Sequence, residues 1–298
     1  MTIRAFDGSL TDAKHLLNVE RATFDECPYT AQQLQVMLTR GAQRAWLAVE
    51  EDEVAGFVVA FPVTSLAGVW WEIDLLAVHP DWEGLGLGRQ LIRAAAAAGV
   101  SLAGRSPAQG EVLSGCVQVR AAVSTENGRS AGAFAAAGLQ AAASACSLLI
   151  YRLEDPIVPL HPAPGLVVRK ASSPEEVRPW LTHPPALPTG RRGPTLVLAE
   201  QNGRPAGYAE LIDVQTILYR GTWIESLVAP SQTAREALVY YALMRAVAAE
   251  RTEVSALVPA QNRPLQHSLL SAGFRSLGTY SWFSATLPLP DQPGRDGE

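Results

Sequence analysis

Cysteine is scarce in this 298-residue chain, which has three, at positions 27, 116 and 146. Three widely separated thiols are too few for a disulfide framework and lack the spacing of a zinc site. We therefore expect no metal ion in this protein. The same scarcity favours a reducing compartment, and we expect a cytoplasmic location.

Long apolar runs and clusters of positive charge are also missing. No apolar run approaches the ~20 residues of a membrane span, and the first residues, MTIRAFD, lack the apolar core of a signal peptide. Lysine and arginine number 24 against 29 acidic residues, a net charge of −5. We therefore expect neither a membrane nor a nucleic-acid partner. The negative charge favours a cationic or amine-bearing substrate.

A glycine-rich segment between an apolar run and a helical stretch is the most informative feature present. The apolar run 75–78 stops before Pro80, glycines follow at 84, 86 and 88, and the helical stretch begins at Arg89. A loop of this kind lets an anion approach the backbone, and the free N–H groups of the first helical turn point at it. The segment predicts a phosphate site, although the glycines alone fit a ligand-free turn equally well.

Two common phosphate loops fit this segment poorly. A P-loop requires Lys followed by Ser or Thr after its last glycine, whereas Arg89 and Gln90 stand here. A dinucleotide fingerprint requires the spacing G-x-G-x-x-G and an acidic residue about 20 positions later. The chain has G-x-G-x-G instead, and no acid between Gly104 and Gly110.

The segment resembles the acetyl-CoA loop of the GNAT acetyltransferases, which carry Val-x-Pro and then Gln/Arg-x-x-Gly-x-Gly/Ala. The matching residues are Val78, Pro80, Gly86 and Gly88. Arg89 stands where family members often have a basic residue beside the phosphates. Glu83 departs from the pattern, because the family has Gln or Arg there.

A second family element follows at the expected place. GNAT proteins carry Asn, then Tyr seven residues later, then Gly-Phe at plus eleven and plus twelve. This chain has Asn127, Phe134 and Gly138-Leu139 at those positions. By itself Asn127 reads more simply as a helix cap than as a ligand contact.

The resemblance implies that acetyl-CoA is a co-substrate held by the strand end, the loop and the following helix. The residues that this assigns to cofactor binding are Leu76, Ala77, Val78, Glu83, Gly84, Leu85, Gly86, Leu87, Gly88, Arg89, Asn127, Ser130 and Phe134. The family's tyrosine protonates the departing thiolate, and Phe134 cannot do so. Water or Ser130 would replace it, or the thiolate leaves unassisted.

The strand before the loop carries two candidate catalytic bases, Glu72 and Asp74. Strand alternation predicts that both lie on one face together with Leu76 and Val78. A partly buried carboxylate with a raised pKa is able to accept the proton of an ammonium group. Several GNAT enzymes draw their base from the region of Glu72, which we therefore favour over Asp74. A salt bridge or a solvated sheet edge is the alternative role.

The motifs occur twice, which predicts two copies of one domain. Ile3-Arg4 recurs as Val168-Arg169, and the Asn127 to Gly138 spacing recurs as Asn262 to Gly273. A proline-rich stretch separates the copies. The predicted organisation is a catalytic domain at 1–154, a linker at 155–164, a second domain at 165–290 and a disordered tail at 291–298.

The second copy lacks the features of a phosphate loop. Thr233, Glu236 and Leu238 stand at the positions of the loop residues, and Leu269 at that of the tyrosine. Side chains there block the approach of a diphosphate, and the Glu236 carboxylate would repel it. We therefore predict that the second domain is degenerate and does not bind acetyl-CoA.

These observations predict an α/β protein of two tandem GNAT domains, each with a mixed, mostly antiparallel twisted sheet flanked by helices. The predicted activity is transfer of an acetyl group from acetyl-CoA to the amine of a small molecule or peptide by the first domain. An inactive acyl-CoA sensor or interaction module is the alternative. Asp25 and Glu26, between the first two helices, are candidates for attracting the ammonium group, although a solvated loop explains them more simply. The second domain would complete the acceptor pocket or supply a homodimer surface.

Overall fold

The computed structural model describes residues 1–24, 29–51, 53–103, 118–159, 163–181, 193–217 and 219–288. Asp25, Glu26 and Cys27, residues 160–162 of the predicted linker and the predicted tail lie outside the described residues.

Six helices and thirteen strands are present in these segments. The helices are α1 (Leu10–Thr23), α2 (Ala31–Arg40), α3 (Leu87–Ala103), α4 (Gly128–Ala137), α5 (Gln232–Ala248) and α6 (Arg263–Ser271). The strands of the first half are β1 (Thr2–Ala5), β2 (Arg44–Glu50), β3 (Glu53–Ser65), β4 (Gly68–Val78), β5 (Gln118–Ser124), β6 (Gln140–Ala141) and β7 (Cys146–Arg152). Those of the second half are β8 (Leu166–Lys170), β9 (Thr195–Gln201), β10 (Arg204–Gln215), β11 (Arg220–Val228), β12 (Glu253–Pro259) and β13 (Arg275–Thr286).

The helices of the first half begin where the sequence provides caps. Ser9 accepts a hydrogen bond from the Asp12 amide at 3.0 Å to start α1. Thr30 and Gln33 form a reciprocal capping box at the start of α2. Apolar side chains at helical spacing, among them Leu16 and Leu34, are fully buried and pack these helices onto one face of the sheet. Helices α3 and α4 cover the other face.

All strands join one continuous, mostly antiparallel sheet, which confirms the predicted fold class. Its order is β1-β2-β3-β4-β5-β13-β7-β12-β11-β10-β9-β8, with β6 paired to β13. Among the strands of the described segments, only the neighbours β4 with β5 and β11 with β12 run parallel. The two halves thus repeat the same order of strands from opposite ends of the sheet.

The two halves exchange their last strands at the centre of this sheet. The second part of β13 pairs with β5 of the first half, and β7 pairs with β12 of the second half. The first domain predicted from the sequence, 1–154, includes β7, whereas β7 lies in the sheet beside β12 of the second half. Chain order does not reveal the exchange, because either neighbour offers an equivalent antiparallel edge.

Each hydrophobic core contains side chains from the exchanged strands. The first-half core beneath α3 and α4 contains Phe283 and Leu287 from the end of the chain. The second-half core beneath α5 contains Leu149 and Tyr151 from β7. Each half therefore completes its core with side chains that belong, in chain order, to the other half.

Hairpin tips link the halves in the same reciprocal way. Leu66, between β3 and β4, is buried against second-half residues that include Tyr208. Ile217, between β10 and β11, is fully buried among α1, α2 and the end of β4. The Leu66 amide also donates a 2.6 Å hydrogen bond to Glu210, whose pKa burial raises to about 7.

None of the helices in the described segments is long and apolar enough to span a bilayer. The described residues also contain no cluster of three or more His, Cys, Asp or Glu able to hold a metal ion.

Candidate active site

The glycine loop leaves β4 through one turn of 3₁₀-helix at Pro80–Trp82 and enters α3 at Leu87. Gly84 and Gly86 have φ angles of +79° and +73°, which L side chains rarely adopt. A Cβ added at either position would meet no described atom within 4 Å. The backbone of both glycines is therefore open to a ligand on the side where a side chain would project.

The start of α3 provides the amide groups that a phosphate needs. Gln90 donates the first helical hydrogen bond, to the Gly86 carbonyl at 3.2 Å. The amides just before it have no acceptor within the helix. Leu87 is buried and anchors the turn, whereas Leu85 and Arg89 lie exposed beside it. These residues fit the diphosphate of a CoA molecule.

Helix α4 borders the loop on its other side. The Asn127 side chain caps this helix by accepting from the Ser130 amide at 3.0 Å, and Asn262 caps α6 in the same way. Arg129 forms an exposed ion pair with Glu83. Glu83, the residue that departs from the family pattern, thus has a partner on α4.

Strands β4 and β5 separate next to this loop. Their parallel pairing covers three residues of each strand and ends at Glu72 opposite Arg120. On its other edge β4 stays paired with β3 as far as Val78. Within the described residues, the edge of β4 that faces β5 is therefore unpaired along Leu76, Ala77 and Val78. Such an edge has the backbone groups to bind an extended, amide-containing chain.

A β-bulge changes which way the β4 side chains point. Val59 of β3 lies opposite Leu75, but Ala60 lies opposite Ile73, so Asp74 is an extra residue in the ladder. Ile73 packs under α3 while Leu75 packs under α1 and α2. Two residues that strict alternation would place on one face therefore lie on opposite faces.

This bulge overturns one expectation from the sequence. Leu76 and Val78 pack on the α3 side of the sheet, whereas Glu72 and Asp74 line a cavity on the other side. The four residues do not share a face. Apolar-polar alternation cannot reveal a bulge, because the inserted residue only shifts the pattern by one position.

Glu72 belongs to a buried ion network that joins the halves. Arg120 donates to Glu72 at 2.8 Å and to Glu225 of β11 at 2.6 Å. The guanidinium also lies 5.1 Å from the Trp70 ring and 4.6 Å from the Trp282 ring. Burial raises the pKa of Glu72, while the positive charge of Arg120 opposes the rise. The salt-bridge alternative for Glu72 is thus what the structure contains.

Asp74 differs from Glu72, because its partners are neutral. Gln43 donates to it at 3.1 Å, and the Thr216 hydroxyl of the second half also hydrogen-bonds to it. Burial, with a smaller contribution from the charge of Glu72, raises the pKa of Asp74 to about 7. A carboxyl group with that pKa is able to take up a proton near neutral pH.

A cavity of about 390 Å³ opens beside these two carboxylates, between the halves of the chain. Glu72, Asp74 and Arg120 line one end, at the point where β4 and β5 begin to separate. Arg152 and Glu253 line both this cavity and a wider groove of about 1000 Å³. The cavity therefore connects the separating strands with the protein surface.

Phe134 is a core residue in this structure. It is 4% exposed, and its ring centroid lies 5.9 Å from that of Phe283. Ser130, one turn earlier on α4, is partly exposed. The cofactor-binding roles predicted for these two residues stay predictions.

The second half has a capped helix where the first half has the glycine loop. Ser231 caps α5 by accepting from the Ala234 amide at 3.2 Å. Arg235 donates to the carbonyl groups of Ala229 and Pro230 at 2.9 and 3.0 Å. The end of β11 and the start of α5 thus bond to each other.

Sequence reasoning missed Arg120, Glu225, Gln43 and Thr216. The sequence does indicate a role for Arg120, because an arginine within the apolar segment CVQVRAAV requires a buried partner. It indicates none for Glu225 and Thr216, because their roles depend on the contact between the halves.

The matches to known proteins agree with this geometry. Residues 10–106 match the model of the Acetyltransferase (GNAT) family. No curated protein matches the chain.

Solved structures resemble the chain over both halves. A GCN5-related N-acetyltransferase from Sphaerobacter thermophilus is 18% identical with a TM-score of 0.61, covering 98% of this chain and 97% of that one. A tandem GNAT protein from the clavulanic acid biosynthesis pathway is 14% identical with a TM-score of 0.54, covering 97% and 99%. A putative acetyltransferase from Pyrococcus horikoshii is 15% identical with a TM-score of 0.54, covering 98% and 91%.

The open glycine loop and the separating strands are the features of this fold that are relevant to acyl transfer. Residues 10–106 thus resemble the GNAT family in sequence, and both halves of the chain have the GNAT fold.

Proposed function

We propose that the first half transfers an acetyl group from acetyl-CoA to the primary amine of a small molecule. The observation that carries this proposal is the alignment of three features along β4. An open glycine loop lies at its end, an unpaired edge precedes the loop, and a carboxyl group with a pKa of about 7 lies at its bulge. In this proposal the glycine loop binds the diphosphate of acetyl-CoA, the unpaired edge binds its pantetheine arm, and the carboxyl group receives the proton of the amine.

Different residues bind acetyl-CoA and accept the proton of the amine. Acetyl-CoA supplies the thioester. The backbone of Leu76, Ala77 and Val78 holds its arm, and the amides from Gly86 to Arg89 hold its diphosphate. Asp74 accepts the proton of the ammonium group, directly or through water. The freed nitrogen then bonds to the acetyl carbon as the carbon–sulfur bond breaks, and the second proton of the nitrogen passes through water to the departing thiolate.

We assign the base role to Asp74 rather than to Glu72. Glu72 already shares the charge of Arg120, so protonating it would leave a buried guanidinium with one carboxylate fewer. Asp74 has only neutral hydrogen-bond donors, Gln43 and Thr216, and its protonation costs less. The proposal thus reverses the preference drawn from position in the sequence.

The second half has a supporting role in this proposal. Its Ser231 cap and the bonds of Arg235 occupy the polar groups that a diphosphate would need. We therefore expect one acetyl-CoA bound per chain, and calorimetry with acetyl-CoA measures this number. Two sites per chain would contradict the assignment.

An acyl-CoA sensor is the second candidate function, and Phe134 is the residue that favours it. The ring offers no proton to a leaving thiolate and is used in the core. Such a sensor would bind acetyl-CoA without releasing free CoA in the presence of any amine. A thiol-release assay across an amine panel separates the two functions.

Gly86→Glu is expected to abolish acetyl-CoA binding, with a rise in Kd of at least about a hundredfold. The added side chain occupies the open side of the loop, and its charge repels the diphosphate. Isothermal titration calorimetry with acetyl-CoA measures the change.

The matched control is Gly203→Glu in the β9–β10 turn. Gly203 has a φ of +74° and an equally open Cβ position, so the substitution brings similar backbone strain and the same charge. We expect this variant to keep the affinity of the unaltered protein. Equal affinity of both variants for acetyl-CoA would contradict the proposed binding site.

Thr216→Val is expected to move the acidic limb of the activity profile to higher pH by about one unit. The lost hydrogen bond stabilises charged Asp74 by roughly 1.5 kcal/mol, and one pKa unit equals about 1.4 kcal/mol. Thr216→Ser keeps the hydroxyl and serves as the control. The titratable or charged side chains that share the cavity with Asp74 are Glu72, Arg120, Arg152, Tyr219 and Glu253. A profile of kcat/KM against pH that is identical for both variants would exclude Thr216 as a positioning residue.

A further inference from the structure

The cavity beside Asp74 belongs to both halves of the chain. Strands β4 and β5 of the first half contribute the carboxylates and Arg120. Side chains of the second half, on β10 to β12, and side chains of β7 also line it. The second half is thus in direct contact with whatever enters the cavity next to the candidate base.

The wall that faces the carboxylates is apolar and partly aromatic. Tyr219 and Trp223 lie with their ring centroids 6.2 Å apart in an edge-to-face arrangement. The Tyr219 hydroxyl donates to the Thr222 carbonyl at 2.9 Å, and the Trp223 indole donates to Glu225 at 3.1 Å. Both polar atoms are thus engaged within the protein, which leaves the ring surfaces for a ligand.

Aliphatic side chains complete the wall. They are Val63, Leu148, Ile150, Ile212, Val214 and Leu277. A ligand that fills this space therefore gains by burying apolar surface, about 25 cal/mol for each Å² removed from water.

The charges around the cavity favour a cation over an anion. Arg120 is held by two carboxylates and two indole rings. Burial raises the pKa of Glu253, and the charge of Arg152, which lies opposite it in the β7–β12 register, opposes the rise. The positive groups are thus matched by carboxylates of the protein, while Asp74 has only neutral partners. An acceptor carboxylate would enter a site whose cations already have partners.

The size of the cavity limits the acceptor further. A volume of about 390 Å³ lies near the lower end of small-molecule sites, which span roughly 300–1,000 Å³. A folded protein surface cannot enter it, and a peptide would have to place its polar backbone against the aliphatic wall.

We propose that the acceptor is a small primary amine with an apolar or aromatic body and no carboxylate. Its nitrogen lies at Asp74 and its body lies against Tyr219 and Trp223 of the second half. This inference rests on the proposed function of the first-half site. It assigns to the degenerate half the task of selecting the acceptor.

An amine series tests this inference in two independent readouts. The probes are phenethylamine, phenylalanine, which adds a carboxylate to the same body, and the peptide Phe-Gly-Gly. Thiol release with acetyl-CoA gives kcat/KM for each, and calorimetry on the CoA-saturated protein gives the affinity. We expect phenethylamine to exceed the other two by at least about tenfold in both measurements.

The variant Val214→Trp tests whether phenethylamine binds in the cavity beside Asp74. The substitution fills space on the wall facing Asp74 and is expected to weaken phenethylamine binding at least about tenfold without changing acetyl-CoA affinity. Val167→Trp, at a side chain that is 56% exposed on β8, is the control and should leave both affinities unaltered.

The outcomes separate this inference from the proposed function. Phenethylamine binding that Val214→Trp removes, without acetyl transfer to any amine, would support the cavity assignment and contradict the catalytic proposal. Equal or better use of phenylalanine or the peptide would overturn the inference while leaving acetyl transfer intact. Absence of phenethylamine binding, or binding that Val214→Trp does not affect, would also overturn it.

Discussion

Asp74→Asn is expected to lower kcat for acetyl transfer by about 10²–10⁴-fold, the usual contribution of a positioned general base. The amide has nearly the same shape and can still bond to Gln43 and Thr216, so the acetyl-CoA affinity should not change. In the unaltered protein kcat/KM should be low at acidic pH and rise as Asp74 loses its proton, with a midpoint near 7. Asp74→Asn should remove this limb.

Glu72→Gln is the matched comparison, since it makes the same change two residues away in the same cavity. We expect turnover to stay within about tenfold, because Glu72 is not the base. The midpoint of the profile should fall slightly, since the charge of Glu72 contributes to the raised pKa of Asp74. Removing one carboxylate from buried Arg120 should also cost stability, about 3–5 kcal/mol for a broken buried pair.

One result with these two variants would contradict the assignment of Asp74 as the base. If Glu72→Gln abolishes the acidic limb and Asp74→Asn preserves it, the assignment of the base is wrong. Profiles of kcat/KM from pH 5 to 9, with acetyl-CoA saturating, give the answer.

Phe283→Ala is expected to lower the free energy of unfolding by about 3–5 kcal/mol, the usual cost of emptying a buried aromatic site. Phe283 is 6% exposed and packs on Phe134 within the core beneath α3 and α4. Although Phe283 belongs to β13, the substitution should destabilise the first half. Urea denaturation followed by fluorescence measures the free energy.

Leu270→Ala controls for the loss of a large apolar side chain. Leu270 is 50% exposed on α6, so its truncation should change stability by less than about 1 kcal/mol.

A fragment ending at residue 154 should fail to bind acetyl-CoA, since its sheet lacks β13. A stable, acetyl-CoA-binding fragment would contradict the importance of the strand exchange.

Local patterns predicted most elements of the first half. The Pro80 and glycine signals located the end of β4 and the start of α3. The glycine loop was predictable because its chemistry is contained in one continuous segment. Repeated motifs also revealed the two copies, since each copy needs the same turns.

Non-local features were not predictable from the sequence. The bulge at Asp74 depends on how β3 and β4 align, and a single inserted residue leaves the apolar pattern almost unchanged. Thr216, a partner of Asp74, and Glu225, a partner of Arg120, belong to the other half, so no spacing rule relates them. The preference for Glu72 as the base rested on position, and only the ion pair with Arg120 argues against it.

The exchanged strands determine when, during translation, the first half can complete its sheet. During translation α4 and its Phe134 leave the ribosome long before Phe283 is made, so the first half waits with an open sheet edge. A nascent chain that stops before β13 lacks the closing strand. The first half therefore cannot complete its sheet until β13 has been synthesised.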